Sequence, residues 1–238
     1  MKNSVLHPAA SRFHADHGWL KSAQTFSFHG NYDPQRIQFG ALRVLNDDTV
    51  NGGKGFGRHP HDNMEIISIP LEGTLEHQDS MGNVALIRRG EIQVMSAGTG
   101  VYHTEFNKDK DEPVTFLQIW LYPNKLNVAP RYDQTEYASG NRHNRFQQIL
   151  SPDPADEGVW INQDAWFHLA DLDEGFETGY RLKKEGNGVY VFVIEGNVEV
   201  DDQPLSARDG YGFWPESAAQ LKALEKSSLL VIEVPEKW

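Results

Sequence analysis

The chain of 238 residues is long enough for one large domain or two of ordinary size, and its 39% hydrophobic residues supply a sizeable core. A formal net charge of -12 argues against a nucleic-acid-binding surface, which needs a basic footprint. The lack of cysteine excludes disulfides, thiolate catalysis and cysteine-ligated zinc, so a metal would need histidine or carboxylate ligands. No apolar run approaches the length of a membrane span and the first residues lack a signal peptide's apolar core, which predicts a cytoplasmic protein without a membrane partner.

Short β-strands separated by turns are predicted through the first half of the chain. Residues 41–45 form a short apolar run that ends in a turn signal, Asn46-Asp47-Asp48. Further strands follow at regular intervals, bounded by Gly, Asn or Asp, at residues 66–71, 74–78, 84–87, 91–96 and 115–121. This spacing favours an all-β fold built as an antiparallel barrel or sandwich.

The second half of the chain repeats the first. Residues 71–76 (LEGTLE) are echoed by residues 194–199 (IEGNVE), and residues 88–90 by residues 208–210. A repeat of this length indicates two tandem copies of one β-domain. We therefore expect an N-terminal metal-binding domain at 1–130, a connection with little β character at 131–150, and a C-terminal domain at 151–238.

Two pairs of residues have the spacing of metal ligands. His59 and His61 follow a glycine-rich turn, and residues two apart in a strand point to one face, so both imidazoles can reach one ion. His103 and Glu105 have the same spacing behind another glycine turn. Three imidazoles and one carboxylate suit first-row ions such as Fe, Mn, Ni, Cu or Co. The simpler alternative for His59 and His61 is a pair of polar histidines on a solvent-exposed face.

The internal repeat provides a control for this interpretation. Laid over the first copy at the repeat spacing, the second copy places Leu182, Lys184, Ala223 and Glu225 at the four ligand positions. Three of the four ligands are therefore missing there, so this kind of domain does not need histidine at these positions to fold. We expect one metal site, in the first domain, and none in the second.

Two segments resemble the cupin motifs, one from Gly53 to Glu65 (Gly-x5-His-x-His-x3-Glu) and one from Gly100 to Asn107 (Gly-x2-His-x3-Asn). The chain departs from the cupin pattern in two places, since Gly73 comes one residue late and Gly98 replaces the usual proline. Longer segments resemble the pirin family, a branch of the bicupins, at residues 17–19, 25–28, 42–48, 55–65, 71–73, 76–83 and 95–100. This resemblance is dense over residues 11–123 and covers the second half in outline.

The resemblance to pirins implies a bicupin with two stacked, jelly-roll-like antiparallel β-barrels and one divalent metal ion in the N-terminal barrel. The family's ligand positions fall on His59, His61, His103 and Glu105, and Glu65 of the first motif is not the carboxylate ligand. Fe(II) is the expected metal, with Ni, Mn, Co, Cu and Zn as the alternatives.

The same resemblance implies a function. Some bacterial pirins are similar in activity to quercetin 2,3-dioxygenases, which open a flavonol ring with release of carbon monoxide. We therefore expect an oxidoreductase whose partners are dioxygen and a small aromatic substrate such as a flavonol. Eukaryotic pirins are regarded as nuclear co-regulators, so the alternative is a metal- or redox-responsive regulatory protein that binds a protein partner without catalysis. The acidic charge argues against direct contact with nucleic acid.

Several further residues are candidates for the site. Glu105 and, second to it, Glu65 are candidate proton acceptors. Gln118, a polar residue in an apolar strand, either faces the barrel interior and orients a ligand or is an ordinary buried amide. His77 and Asp79 either support a metal-binding histidine or form the following turn. Side chains that could line an apolar substrate pocket, or simply fill the core, are Phe26, Phe28, Phe56, Met95 and Trp120.

Overall fold

The computed structural model describes residues 4–215 and 218–237, whose regular secondary structure is almost entirely β-strand. The strands up to residue 121 are β1 (Ser4–His7), β2 (Phe13–Asp16), β3 (Leu20–Gln24), β4 (Leu42–Val50), β5 (Gly55–His61), β6 (Glu65–Glu72), β7 (Thr74–Asp79), β8 (Val84–Arg88), β9 (Glu91–Ser96), β10 (Val101–Asn107) and β11 (Val114–Leu121). The strands after it are β12 (Arg131–Glu136), β13 (Gln147–Ser151), β14 (Val159–Trp160), β15 (Trp166–Leu172), β16 (Glu177–Arg181), β17 (Asn187–Glu195), β18 (Val198–Val200), β19 (Gln203–Leu205), β20 (Gly210–Phe213), β21 (Ala218–Ala223) and β22 (Ser227–Pro235). Two short 3-10 helices span Ala9–Ser11 and Ser139–Arg142.

The strands form two barrels, each made of a seven-stranded and a four-stranded sheet. The first barrel has the sheet orders β12-β9-β6-β11-β4-β3-β2 and β5-β10-β7-β8. The second has the orders β1-β20-β17-β22-β15-β13-β14 and β16-β21-β18-β19. This confirms the predicted all-β architecture of two tandem barrels. In the described parts of the chain, no helix is long and apolar enough to cross a membrane.

Two edge strands differ from the expected division of the chain. β1, from the first half, pairs with β20 in the second barrel, with Ser4 opposite Phe213. β12 lies in the segment expected to be a connection with little β character, yet it pairs with β9 of the first barrel. Most of β12 is half-buried along both faces, so it lacks the alternation that identifies a strand with one buried face.

Strand β4 also extends further than expected. Asn46-Asp47-Asp48 lies within the strand, which continues to Val50, and is not a turn. β4 is hydrogen-bonded on both sides, to β3 and to β11, and these two neighbours hold the polar run in the sheet. Period-two alternation then places Asn46, Asp48 and Val50 on one face and Asp47 on the other.

The largest apolar cluster lies between the two seven-stranded sheets. It takes buried side chains from both, among them Leu45, Ile67, Ile119, Phe167, Leu230 and Ile232. A second cluster fills the interior of the second barrel and includes Val189, Val191, Val198, Val200 and Leu221. The two sheets thus pack face to face, and the core between them joins the barrels.

The interior of the first barrel is divided. One apolar cluster includes Val50 and Phe116, and another includes Ile66 and Met95. Along β11, Phe116 belongs to the first cluster, Trp120 packs against the second, and the buried Gln118 lies between them. The gap contains buried polar side chains, namely Ser68, His77, His103, Glu105 and Gln118.

The inter-sheet core predicts a test of stability. We expect Leu230→Ala to lower the free energy of unfolding by about 2–5 kcal/mol, because it removes a fully buried side chain and leaves a cavity. Leu126→Ala, at a position 62% exposed, is the matched control and should change it by less than about 0.5 kcal/mol. Urea unfolding of both variants measures the difference, and equal effects would contradict the assigned core.

Candidate metal centre

Two neighbouring strands bring the predicted histidines together. β5 and β10 pair so that His103 lies directly opposite His59, while Val101 lies opposite His61. Because residues two apart in a strand share a face, His61 projects beside His59 toward the same interior. The local spacing of β5 and the register of β10 therefore create one cluster of three imidazoles.

The three imidazoles are close enough to share one ion. One ring nitrogen from each of His59, His61 and His103 lies within 4.8 Å of the other two. The ring centroids are 4.4 Å apart for His59 and His103, and 4.9 Å for each of the other pairs. Among the described residues, this is the one group of three or more potential ligands so arranged.

The hydrogen bonds and protonation of these rings fit a divalent metal. His59 Nδ1 donates to the carbonyl of Gly57 at 2.7 Å, which leaves the lone pair on Nε2 for a ligand. Both ring nitrogens of His103 are buried without a hydrogen-bond partner. Burial, followed by the neighbouring imidazoles, lowers the pKa of His61 and of His103 to about 3. Neutral imidazoles with free lone pairs are what a first-row metal requires.

Glu105 lies on the same face of β10 as His103, but its carboxylate is held by other residues. Gln118 Nε2 donates to both carboxylate oxygens, at 3.0 and 2.9 Å, and Ser68 Oγ donates to one of them at 3.2 Å. Gln118 thus faces the barrel interior, as one of its two interpretations predicted. The close group of ligand atoms contains the three histidines without Glu105. A fourth ligand bond from Glu105 stays a prediction.

Glu65 is placed away from the histidines. Its carboxylate accepts hydrogen bonds from Ser96 Oγ at 2.6 Å and from Asn162 Nδ2, in the second barrel, at 3.1 Å. Burial raises its pKa. Glu65 does not line the cavity that contains the histidines, so the structure contradicts its role as a proton acceptor there. Its position at the end of β6 directs it toward the contact between the barrels.

His77 lies behind the cluster. Its ring is 5.4 Å from that of His103, and its Nε2 is 3.0 Å from Oδ2 of Asp79. Asp79 also accepts backbone N–H bonds from Met81 and Asn83. Asp79 thus closes the turn, as one interpretation of the pair predicted, whereas His77 packs against His103 without a hydrogen bond to either of its ring nitrogens. A supporting role for the pair at the metal stays a prediction.

A cavity of about 1150 Å³ opens beside the three histidines. Its walls are aromatic: Trp19 packs edge-on against Phe56 at 5.3 Å, and Phe28 packs edge-on against Trp120 at 5.2 Å. Trp120 in turn lies 4.9 Å from the ring of His61. Exposed histidines that sequence reasoning did not connect with the site also line the cavity, namely His14, His17 and His29.

Two of the predicted pocket residues are elsewhere. Phe26 packs against His7 and Tyr190, with ring centroids 5.5 and 6.0 Å away, in the core between the barrels. Met95 lies in the apolar cluster with Ile66 and does not line the cavity. Both side chains are buried in apolar clusters, which the sequence cannot distinguish from a pocket wall.

Asn46 and Asp48 line the buried part of the cavity, and sequence reasoning missed both. Their run was interpreted as a turn, so no face was assigned to it. Burial, together with the charges of Asp47 and Glu105, raises the pKa of Asp48 to about 7. The hydrogen bond with Ser22 acts in the opposite direction and lowers this pKa. The alternation along β4 could have identified them, because it places Asn46 and Asp48 on the same face of the strand as the buried Val50.

The strand pairings correct the alignment of the second barrel with the first. Asn107 pairs with Leu75 in the first barrel as Ala223 pairs with Val198 in the second. Ala223 is therefore the counterpart of Asn107. Residues 103 and 105 precede Asn107 by four and two positions, so their counterparts in β21 are residues 219 and 221. The alignment to residues 223 and 225 was wrong because the two barrels have connections of different length.

The corrected alignment also replaces the counterparts of the first pair of histidines. Tyr180 lies opposite Ala219 as His59 lies opposite His103, so residues 180 and 182 occupy the positions of 59 and 61. Tyr180 donates a hydrogen bond to Glu233 at 2.9 Å, inside the second barrel. In the described part of this barrel, no group of three or more potential metal ligands is close enough to share one ion.

Comparison with known proteins places the chain in a family. The family model of pirin matches residues 7–121, and the model of the quercetinase C-terminal cupin domain matches residues 148–234. Quercetin 2,3-dioxygenase of Escherichia coli is 40% identical over 230 residues, covering 97% of this chain and 98% of the relative. The chain belongs to the pirin family.

Solved pirin structures share the fold of this pirin over nearly all of the chain. YhhW from Escherichia coli superposes with a TM-score of 0.93 at 40% identity, covering 98% of both chains. The structure of bacterial pirin YhhW in complex with nickel(II) superposes with a TM-score of 0.92 at 39% identity, covering 98% of this chain and 99% of that one. A pirin-like protein of Caulobacter vibrioides is 40% identical over 221 residues, 92% of this chain and 94% of the relative.

The histidine cluster predicts that metal binding by this pirin depends on each imidazole. We expect His61→Ala to weaken the binding of Fe(II) or Ni(II) by more than about 100-fold, because loss of a mere supporting residue already weakens metal binding by roughly 10- to 100-fold. His143→Ala, at an exposed histidine beside Asp173, is the control and should bind as the parent does. Calorimetric titration measures both, and unchanged binding by His61→Ala would exclude this site.

The raised pKa of Asp48 predicts a dependence of stability on pH. The folded state holds the proton up to about pH 7, whereas the unfolded chain releases it near 3.8, so the unfolding free energy falls as the pH rises between these values. Asp48→Asn removes this penalty. We expect the metal-free variant to be more stable than the parent above pH 7 by on the order of 3 kcal/mol, with the difference vanishing toward pH 4. Urea unfolding across this range measures it, and a difference independent of pH would contradict the assignment.

Proposed function

We propose that the protein is a metal-dependent dioxygenase that opens the ring of a flavonol-like substrate, as quercetin 2,3-dioxygenases do. The observation that carries the proposal is the cluster of His59, His61 and His103 at the wall of a large cavity with aromatic sides. The activity in the name of the Escherichia coli relative supports it. Fe(II) is the metal we propose, and the nickel(II) complex of YhhW supports a site for a first-row divalent ion.

The residues of the chain would share the chemistry as follows. A divalent metal held by the three imidazoles, with Glu105 as the proposed fourth ligand, would act as a Lewis acid that lowers the pKa of a bound hydroxyl. Glu105, oriented by Gln118 and Ser68, would accept the proton of the flavonol 3-hydroxyl.

The aromatic walls would hold the substrate. Phe56 lies on the side of His59 and Trp120 on the side of His61, with ring centroids 6.4 and 4.9 Å from them. Offset and edge-on contacts between aromatic rings stabilise a planar substrate between such walls. The same side chains would exclude water from the reacting atoms, which strengthens electrostatic interactions in the cavity.

A turnover assay tests the proposal directly. The protein is loaded with one first-row metal at a time, its metal content is determined by elemental analysis, and quercetin and dioxygen are added. We expect loss of the flavonol absorbance and release of carbon monoxide with Fe(II). If no metal supports either change, the dioxygenase proposal fails. Intact metal binding without turnover, together with a protein partner captured only by the metal-loaded form, would favour the regulatory alternative.

The assigned role of Glu105 gives a further prediction. We expect Glu105→Gln to lower kcat by about 100-fold or more, because the amide cannot accept the substrate proton. Glu76→Gln is the control, since Glu76 pairs with Lys108 outside the cavity lining, and its kcat should match that of the parent. Metal content separates the two proposed roles: full occupancy with slow turnover indicates a proton acceptor, and lost occupancy indicates a ligand. Parental turnover by Glu105→Gln would exclude both.

A further inference from the structure

Two buried oxygen atoms in the cavity lack a hydrogen-bond donor. Asn46 Oδ1 and Asp48 Oδ1 have no partner, although both residues line the cavity and are only 3% exposed. Nearly all buried polar atoms in proteins are paired, and an unpaired one costs roughly 1–3 kcal/mol. Two such acceptors on one face of β4, in the cavity that the metal histidines also line, therefore indicate a ligand that supplies donors.

No side chain on the adjacent strands donates a hydrogen bond to either Oδ1 atom. Asn46 lies between Gln24 and Gln118 on the adjacent strands. Gln118 Nε2 donates to Glu105, and the side-chain oxygen of Gln24 accepts a bond from Asn31. Asp48 lies opposite Ser22, which already hydrogen-bonds to its carboxylate. The neighbouring side chains thus leave both Oδ1 atoms to whatever occupies the cavity.

The charge of the cavity narrows the chemistry of this occupant. Among the described residues, no lysine or arginine lines the cavity, so away from the proposed metal ion it has no fixed cationic side chain for a carboxylate or phosphate group. Arg12 and Arg208 both reach Asp47, on the opposite face of β4. Burial raises the pKa of Asp48 to about 7, so its carboxyl offers little charge to a cationic ligand below that pH and only accepts hydrogen bonds above it. Neutral hydroxyl donors on an aromatic frame fit both the acceptors and the aromatic walls.

The second barrel shows that the fold does not require these acceptors. Following the strand pairings from the repeated segments 71–76 and 194–199 places His168 at the position of Asn46 and Ala170 at that of Asp48. Ala170 belongs to the apolar core of that barrel, and Nδ1 of His168 is paired with the hydroxyl of Tyr180 at 3.3 Å. The barrel without a metal cluster thus has no pair of free acceptors here.

We propose that Asn46 and Asp48 form a recognition subsite that accepts hydrogen bonds from phenolic hydroxyls of the substrate other than the one bound at the histidines. The subsite selects polyhydroxylated aromatic substrates over analogues that have the metal-binding hydroxyl alone. This inference rests on the proposed function for the identity of the substrate class. A site built to pair a substrate hydroxyl strongly rejects an analogue that lacks it, because its buried acceptors then stay unpaired.

Equilibrium binding without oxygen tests the subsite separately from turnover. The probes are quercetin, which has hydroxyls on both ring systems, and 3-hydroxyflavone, which keeps only the 3-hydroxyl beside the carbonyl. Calorimetry on the metal-loaded protein above pH 7, where Asp48 is ionised and can only accept hydrogen bonds, should show at least about tenfold tighter binding of quercetin. Asn46→Leu and Asp48→Leu, which have similar volume and no acceptor, should reduce this ratio to within about threefold.

Matched variants complete the design. Asn46→Asp keeps an oxygen acceptor at its position and should retain most of the preference. Asp47→Asn lies on the other face of β4, outside this cavity, and should keep the ratio of the parent. If a leucine variant does not fold, Asp48→Ala introduces the residue that the second barrel carries at this position. Elemental analysis confirms that the variants hold the same metal as the parent.

The outcomes separate the two proposals. Equal binding of the two probes by the parent, no binding of either, or an unchanged ratio in the leucine variants would overturn the subsite. A preference for quercetin that these variants abolish supports it, even if the parent shows no turnover. In that case the dioxygenase proposal fails alone, and the cavity is a specific binding site for polyhydroxylated aromatics.

Discussion

The face-to-face packing of the two seven-stranded sheets is the constraint on which the rest of the structure depends. It buries a continuous apolar layer that includes Ile67, Ile119, Leu230 and Ile232, and hydrophobic stabilisation grows with the area so removed from water. With this layer joining the barrels, the first barrel can hold polar side chains in its own interior. The described part of the second barrel has a large apolar cluster in its interior and a smaller polar group of Tyr180, His168 and Glu233.

Burial is also the common cause of the chemistry in the first barrel. Removal from water disfavours the charged form of any side chain, so it lowers the pKa of His61 and His103 and raises that of Asp48. Neutral imidazoles and an acid whose pKa is raised to about 7 are thereby placed around one cavity in a protein whose net charge is -12. The neutral imidazoles are suited to a metal ion, and the acid is suited to a hydroxylated aromatic ligand. Neither ligand requires a basic side chain in the cavity.

Much of the site could be predicted because its signals are local. The spacing of His59 and His61 needs only the alternation of a strand, and His103 and Glu105 repeat it behind another glycine turn. The resemblance to pirins then placed the family's ligand positions on these four residues. The strands at 66–71 and 91–96 were found because they combine apolar residues with flanking turn signals. Strand β12 was not predicted. Most of its residues are half-buried on both faces of the strand, so they show no alternation of buried and exposed positions. Asn46 and Asp48 were missed because an Asn-Asp-Asp run favours a turn unless its neighbours hold it in a sheet.

The sequence by itself determined that the chain forms two β-barrels and that the first alone carries a histidine pair. Tertiary structure decided which side chains meet. The register of β10 on β5 sets His103 opposite His59, while β6 directs Glu65 to Asn162 of the other barrel and away from the cavity. The difference is physical: alternation along a strand is a property of neighbouring residues, whereas register and the covering of each face depend on strands far apart in the chain.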